Sequence, residues 1–581
     1  MKKNLTKGLA VTCVAAMLIG CGNTADTQTK KESETIVETS KQETETIEAE
    51  QTAVYENATQ ISLSDDGIFV DGEAISENEE DAVYAARDIV FYLEDQGITY
   101  GAGSEADEHS QEEADAHQVV HITQPGTYVL SGNLSAGQIA VDLGDEAKKD
   151  PEAVVTLVLN GVDIQCSVAP AVMFYRVYEC GSDDAESAVK DVDTSAAGAN
   201  VIIADGTVNN VTGSYVARIY KSYELNEAGT EVVSNKKLHK YDGAFYSKMS
   251  MNIDGETLGN GVLNITADNE GLDTELHLTL NGGIINIWAG NDGINTNEDE
   301  VSVTTINGGV LNICVTGETG EGDGVDSNGW IVINGGEVIS QACSNSMDAG
   351  IDSDMGIYIN GGSVIATGNM YDHIDDSEQN FVVFQFASRQ KGGSEYILKN
   401  EAGEAVMEYT PENDFEYLIY SSEKLTEGTY TLWNGETKLA ASKSENMGMM
   451  PGGFGGMTPP EGFEMPEGMQ KPEDMTPPEG IEIPEGMQKP EGLELPEGMQ
   501  KPEGMTPPQG EGKMEMPQGM DGVNQSEADK MDKGFVIPEG TTPPEGQMPG
   551  RDGFHMENIE VSSEFVIEAG ANFFTFVTTA E

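Results

Sequence analysis

The strongest chemical signal in this sequence is an acidic phrase that recurs along residues 270–376. Glycine, an aliphatic residue and then Asp or Asn follow Glu270, Asp292, Asp323 and Ala349, in the copies E-G-L-D, D-G-I-N, D-G-V-D and A-G-I-D. The candidate metal ligands in and after these copies are Glu270, Asp273, Asp292, Asn295, Asp323, Asp326, Asp352, Asp354, Asp375 and Asp376. Clustered carboxylate and amide oxygens are hard ligands that favour Ca²⁺. The alternative is a solvated acidic face that holds no ion.

A second phrase, N-G-G, sets the period on which the acidic residues depend. It begins at Asn281, Asn307, Asn334 and Asn360, which are 26, 27 and 26 residues apart, and alternating apolar residues flank each copy. That alternation is typical of strands, and a period near 26 suits one three-sided turn of a parallel β-helix. We therefore predict an all-β fold in which equivalent aliphatic residues stack inward and the asparagines form an internal amide ladder.

The register of such a coil would arrange the acidic residues in columns. Equivalent residues of successive turns lie about 4.8 Å apart, so one predicted column contains Asp273, Asn295, Asp326, Asp352 and Asp375. A second predicted column contains Glu270, Asp292 and Asp323. Two carboxylates at that distance repel by about 3–4 kcal/mol at an effective dielectric constant near 20. Residues 249–388 contain 22 Asp and Glu and neither Lys nor Arg, so the counter-charge must come from outside that region.

Aromatic residues along the coil are candidates for carbohydrate binding, because an exposed ring can stack on the face of a sugar. Trp288 and Tyr358 are predicted to point outward, since their neighbours in sequence alternate inward. The full candidate set is Trp288, Trp330, Tyr358 and Tyr371. Isolated apolar residues on a surface are also common without any function.

Composition limits the class of protein. The 581 residues contain 30 Lys and Arg against 102 Asp and Glu, a net charge of −72, which excludes a nucleic-acid binder. The amino terminus resembles a bacterial lipoprotein signal: it has lysines, then a short apolar run, then the lipobox-like L-I-G-C that ends at Cys21. The resemblance implies lipidation of Cys21 and anchoring on the extracellular face of the cell membrane. The four later cysteines permit free thiols or disulfides.

The predicted organisation has six parts. They are a signal peptide at 1–20, a disordered tether at 21–60, an amino-terminal cap at 61–118, the parallel β-helix at 119–378, an antiparallel β cap formed by 379–445 plus 553–581, and a Pro/Met/Glu/Gly-rich low-complexity, disordered spacer at 446–552. Residues 180–198 and 214–240 break the repeat and are predicted to be inserted loops. The aromatic tail 558–581 requires a core, and the 379–445 unit is the nearest one in sequence.

Longer phrases give a family resemblance. The segments YGAGSEADEHSQEEADAH, HITQPGTYVLSGNLSAGQIAV and LNGVDI, together with the repeats, resemble clostridial-type cell-surface carbohydrate-binding proteins. The resemblance implies a calcium-binding right-handed parallel β-helix, similar in shape to pectate lyases, that binds cellulose and acidic polysaccharides such as polygalacturonate.

Three functional classes remain at this stage. A non-catalytic, calcium-dependent carbohydrate binder is the prediction, and a β-helix lyase or hydrolase and a structural surface stalk or adhesin are the alternatives. A pectate lyase needs Lys or Arg as a base, and none occurs along the main repeat. The Gly-His-Gly and Arg-Ile-Lys phrases of polygalacturonases are also absent.

Overall fold

The predicted all-β class is present in the computed structural model, which describes residues 55–226, 228–375, 377–444 and 561–576. Every described residue belongs to one unit formed by residues 1–457 and 558–581. Asp376, Cys21, the signal peptide, most of the tether and the low-complexity spacer lie outside the described residues. No helix among the described residues has both the length and the apolar character needed to cross a membrane.

The amino-terminal half of the described fold contains short strands and one short helix. Ser110 caps helix α1 (Gln111–Ala116) through a hydrogen bond from the Glu113 backbone, and a 3₁₀ turn spans Ala147–Lys149. The strands are β1 Thr59–Leu63, β2 Phe69–Val70, β3 Glu73–Ala74, β4 Val83–Ala86, β5 Gln118–Ile122, β6 Gly126–Leu134, β7 Gly137–Asp142, β8 Val155–Gln165, β9 Val172–Arg176, β10 Ala199–Ile203 and β11 Val208–Gly213.

The repeat region contributes the next strands. They are β12 Tyr220–Leu225, β13 Val232–Lys237, β14 Gly243–Ser247, β15 Met251–Gly255, β16 Val262–Ala267, β17 Glu270–Thr274, β18 Leu278–Leu280, β19 Ile284–Ala289, β20 Ile294–Thr296, β21 Val303–Ile306, β22 Val310–Val315, β23 Val325–Ser327, β24 Trp330–Ile333, β25 Glu337–Gln341, β26 Ile351–Ser353, β27 Gly356–Ile359 and β28 Ser363–Gly368.

Most of these strands form three stacks of parallel neighbours, and from β14 to β28 each turn of the chain adds one strand to each stack. Stack A contains β10, β15, β18, β21, β24 and β27. Stack B contains β11, β16, β19, β22, β25 and β28. Stack C contains β5, β7, β9, β14, β17, β20, β23 and β26.

The aliphatic columns follow the register that the repeat predicts. Leu280, Ile306, Ile333 and Ile359 lie one above another in stack A and are at most 1% exposed. Stack B repeats the pattern with the buried column Ile285, Leu311, Val338 and Val364. Burial of these columns from water is the main source of stability for such a coil.

The amide ladder has a different location from the one predicted. Asn307 donates to Asn281, Asn334 to Asn307 and Asn360 to Asn334, at 2.9–3.0 Å, but the ladder lies on the outer surface and not in the core. The positive φ of each turn falls on the second glycine, for example +84° at Gly283. The asparagine therefore supplies the ladder while glycine supplies the backbone conformation.

The carboxyl-terminal part is a mixed β unit joined to stack B, which corrects the antiparallel cap that the sequence predicts, because the tail strand pairs in parallel with its neighbour. Its strands are β29 Phe381–Gln390, β30 Tyr396–Asn400, β31 Ala405–Tyr409, β32 Phe415–Ser422, β33 Gly428–Asn434, β34 Thr437–Lys438, β35 Ala441–Lys443, β36 Phe565–Ile567 and β37 Ala571–Phe576. The tail strand β37 lies between β29, to which it is parallel, and β35, to which it is antiparallel. Phe565, Phe574 and Phe576 pack into the aromatic core of this unit.

One inserted segment is more ordered than the sequence indicates. Residues 214–240 were expected to form a loop, but β12 and β13 pair as an antiparallel hairpin that is exposed along most of its length. Backbone hydrogen bonds at the base of the hairpin hold its strands in place, although their sequence has little of the apolar alternation that predicts a strand.

Candidate functional site

Two acidic columns run along one edge of stack C. The register pairs Asp273 with Asn295, Asn295 with Asp326, and Asp326 with Asp352. The second column precedes it by three residues in each turn: the Gly271 amide donates to the Asp292 carbonyl at 3.0 Å and the Gly293 amide to the Asp323 carbonyl at 3.1 Å. The structure therefore brings together seven of the sequence candidates, Glu270, Asp273, Asp292, Asn295, Asp323, Asp326 and Asp352.

The glycine of the acidic phrase is required by close packing between turns. A β-carbon at Gly293 would lie 2.3 Å from Cγ2 of Ile313 and 2.6 Å from the Gly324 carbonyl oxygen. The aliphatic residue that follows each glycine points into the core and is completely buried, as in Leu272, Ile294, Val325 and Ile351. The alternation of the strand then turns the next residue, Asp or Asn, to the opposite face.

The carboxylates of Asp323, Asp326 and Asp352 converge at the carboxyl end of the columns. One oxygen of each lies within 4.8 Å of the others. Burial, followed by the charge of its acidic neighbours, raises the pKa of Asp326 well above its usual range. The same two causes raise the pKa of Asp352 to about 6, and burial raises the pKa of Asp292 to about 7. Without a cation, these groups would be charged only at a large cost in free energy.

Two buried oxygens at the other end of the columns lack a hydrogen-bond donor among the described residues. They are Oε2 of Glu270 and Oδ1 of Asn295, whose residues are 6% and 8% exposed. Asn295 Nδ2 donates to the other Glu270 oxygen at 3.0 Å. Leaving two acceptors unpaired is costly, and a hard cation would satisfy both. The oxygen-only donor set of the columns therefore fits Ca²⁺.

Two of the predicted ligands lie outside the register of these columns, and a third is not among the described residues. Asp375 follows the bridge between Ile374 and Ile357 and so extends stack A, not the column of stack C, which corrects its predicted register. Asp354 is exposed and follows Asp352 by two residues, and its charge contributes to the raised pKa of both Asp326 and Asp352. It therefore lies beside the column and not in it. Asp376 is outside the described residues.

Asp372 lies beside Asp352, the last residue of the column, where the sequence predicted Asp375. Its Oδ2 accepts the Ser353 amide at 3.1 Å, and burial together with Asp352 raises its pKa to about 8. The glycine phrase is missing in this last turn, so the repeat gave no signal for Asp372. Asp348 was also missed: its carboxylate accepts the Gly322 amide at 2.5 Å, and its charge contributes to the raised pKa of both Asp292 and Asp352.

The candidate aromatic residues differ in accessibility. Trp288 is 41% exposed on the outer face of stack B. Trp330 and Tyr358 are partly exposed, and Lys190 Nζ lies 4.8 Å from the centre of the Tyr358 ring. Tyr371 is only 4% exposed and stacks on Tyr417, so it is a packing residue and not a surface platform for a sugar.

Trp288 belongs to a groove of about 400 Å³ on the outer face of stack B. A second amide ladder runs along its floor, with hydrogen bonds of 2.9 Å from Asn286 to Asn264 and from Asn312 to Asn286. Glu408, in β31, and Glu412, between β31 and β32, also line the groove. Amide donors, carboxylate acceptors and an indole ring are the groups that bind sugar hydroxyls and the apolar face of a pyranose.

Comparison with known proteins gave one family match and one similar solved structure. Residues 116–382 match the family described as carbohydrate-binding domain-containing protein. That range covers the stacks from β5 to β28. A solved structure, the polysaccharide lyase-like protein from C. thermocellum as a gadolinium derivative, is similar at 18% identity and a TM-score of 0.27, over 55% of this chain and 90% of that chain. No curated protein matches the chain.

The four cysteines of the described residues are free thiols. Cys166 and Cys343 are buried, and Cys180 and Cys314 are partly exposed. The question left open by the sequence is thus answered for this part of the chain: none of its cysteines is in a disulfide.

Proposed function

We propose that this protein is a non-catalytic, calcium-dependent carbohydrate-binding lipoprotein of the cell surface, built on a right-handed parallel β-helix. The observation that carries the proposal is the groove in which exposed Trp288 adjoins an amide ladder and faces Glu408 and Glu412. Cys21 would carry the lipid that anchors the chain to the membrane.

The groove chemistry favours a neutral polysaccharide such as cellulose over a uronate polymer. Two carboxylates and no cationic side chain line it, in a chain whose net charge is −72. A neutral pyranose can donate its hydroxyls to Glu408 and Glu412, whereas a uronate would be repelled by them. A polygalacturonate chain would instead require calcium to bridge its carboxylates to the protein.

Calcium would have a structural role in this proposal. Asp323, Asp326 and Asp352 would hold an ion at one end of the columns, and Glu270 with Asn295 would hold one at the other end. Bound Ca²⁺ would supply the positive charge that the columns lack. The carboxylates in turn would keep the edge of stack C in one conformation next to stack B, which carries the groove.

The experiment is a binding assay on insoluble cellulose and on immobilised polygalacturonate, in calcium and in EDTA. We expect retention on cellulose that falls at least tenfold for Trp288→Ala. Trp330→Ala is the matched control, because Trp330 lies outside the groove, and it should bind as the wild type does. Equal retention of both variants would refute the assignment of the groove.

A polysaccharide lyase is the second candidate, and one observation favours it. The repeat itself contains no Lys or Arg that could act as the base. In the structure, however, Lys237 and Lys240 of an inserted segment lie next to the first acidic residues. A lysine near a metal site could remove the proton alpha to a uronate carboxylate. Release of unsaturated uronate from polygalacturonate, followed by ultraviolet absorbance, would establish this activity in place of simple binding.

A further inference from the structure

A lysine-bearing hairpin lies against the first turn of the acidic columns. Between residues 216 and 240 the chain has five Lys and Arg and three Glu, although the whole sequence has more than three acids for each base. The hairpin, formed by β12 and β13, enters after β11 and returns to β14. The positive charges of Lys237, Arg218 and Lys240 in this segment act on Asp242, beside columns that have no Lys or Arg of their own.

Backbone hydrogen bonds fix the base of this hairpin. The Val216 amide donates to the Tyr241 carbonyl and the Leu238 amide to the Ile219 carbonyl, each at 2.8 Å. On the other side, the Tyr220 amide donates to the carbonyl of Tyr100 in the amino-terminal cap at 2.8 Å. The residues at the base are therefore held in place even though the tip is exposed.

Two lysines at that base approach the outer carboxylates of the first acidic turn. Lys237 Nζ is 4.0 Å from Asp242 Oδ2, and Lys240 Nζ is 4.0 Å from Glu275 Oε2. All four side chains are between 18% and 31% exposed, so solvent screens these pairs only in part.

Those two acids surround Asp273, the first residue of the column, which is completely buried. The Asp242 amide donates to Asp273 Oδ2 at 3.3 Å, and Asn297 Nδ2 donates to Asp273 Oδ1 at 2.5 Å. Tyr246 donates to Glu275 Oε1 at 2.5 Å. The first turn thus has three adjoining acids with ammonium groups beside them, while Asp323, Asp326 and Asp352 form no ion pair with any described Lys or Arg.

We propose that Lys237 and Lys240 are built-in counter-cations for Asp242, Asp273 and Glu275, where they supply the positive charge that a divalent cation supplies at Glu270 with Asn295 and at the later turns. The inference rests on the proposed cation binding by the columns. In this proposal calcium binds at Glu270 with Asn295 and at Asp323 with Asp326 and Asp352. Asp242 and Glu275 need no calcium, because the lysines lie beside them. Loss of the two lysines should create a new requirement for a cation at this turn.

The test compares two double variants of the full chain. Lys237→Met with Lys240→Met removes the proposed counter-cations. Lys221→Met with Lys236→Met makes the same change in net charge on exposed positions of the same hairpin. Thermal unfolding is measured in EDTA and in millimolar CaCl₂, and calcium binding is measured by titration calorimetry.

In EDTA we expect the first variant to melt several degrees below the wild type and the Lys221/Lys236 control to melt with the wild type. Calcium should then raise the melting temperature of the first variant by more than it raises that of the wild type. Lys237→Arg with Lys240→Arg should behave as the wild type in both conditions.

Equal melting of the two Met variants in EDTA would overturn the proposal, as would a calcium response of the first variant no larger than that of the wild type. If calcium fails to stabilise the wild type, the proposed calcium sites are refuted. The comparison in EDTA still tests the lysines on its own.

Discussion

Removal of calcium should make the stability of this protein fall as pH rises, because the acidic columns would then lose protons without a counter-charge. Burial raises the pKa of Asp352 to about 6, of Asp292 to about 7 and of Asp372 to about 8. An Asp in the unfolded chain titrates near 3.9. At pH values between about 3.9 and these raised pKa values, the folded state binds more protons than the unfolded state. Raising the pH through this range therefore favours unfolding.

The expected magnitude is a large part of the total stability. A tenfold change in proton affinity corresponds to about 1.4 kcal/mol, so the change for Asp292, which is 8% exposed, from 3.8 to about 7 corresponds to about 4 kcal/mol. Two fully charged carboxylates 4.8 Å apart repel by about 3.5 kcal/mol at an effective dielectric constant of 20. Total stabilities are typically about 5–15 kcal/mol.

Urea unfolding at pH 5 and pH 8, in EDTA and in calcium, measures this effect. In EDTA the free energy of unfolding should drop by several kcal/mol between the two pH values. In calcium it should stay level or rise, because a bound cation favours the charged carboxylates. Asp292→Asn should reduce the pH dependence of the free energy of unfolding in EDTA. Asp66→Asn, at an exposed position, should leave that dependence unchanged. Parallel pH profiles with and without calcium would refute the reasoning.

Three further predictions follow from particular residues. Gly293→Ala should lower the free energy of unfolding by about 2 kcal/mol or more, since its β-carbon would collide with the neighbouring turn, and a melting point equal to that of the wild type would contradict this. Deletion of 561–576 should destabilise the β29–β35 unit and increase dye binding to exposed apolar surface, whereas deletion of 451–545 should change the melting temperature by only a few degrees. A larger loss of stability on deletion of 451–545 than on deletion of 561–576 would show that the tail is a separate element. Cys21→Ser should abolish incorporation of a labelled fatty acid in cells, and label retained by the variant would exclude lipidation at this site.

Spacing in the sequence was sufficient to predict the stacks and most of the acidic edge. A repeat of 26 or 27 residues fixes which residues face each other in successive turns, because each turn adds one strand to each stack and the strand alternates sides every residue. That period aligned the buried aliphatic columns. Asp273, Asn295, Asp326 and Asp352 are 22, 31 and 26 residues apart, and they could be aligned without coordinates only through the recurring phrase of glycine, an aliphatic residue and Asp or Asn. The aromatic content of the tail likewise required burial in a core.

Only the tertiary structure decided what lies beside that edge, because those contacts depend on segments outside the repeat. Asp372 enters the column through an irregular last turn, and Lys237 and Lys240 reach the first turn from an insertion whose path has no period. Tyr371 is buried by the β unit that packs over it, and Trp288 gains Glu408 and Glu412 from β31 and the loop after it, about 120 residues later. A periodic pattern specifies neighbours within the coil, whereas the partners of its outer surface are set by the non-periodic chain that folds against it.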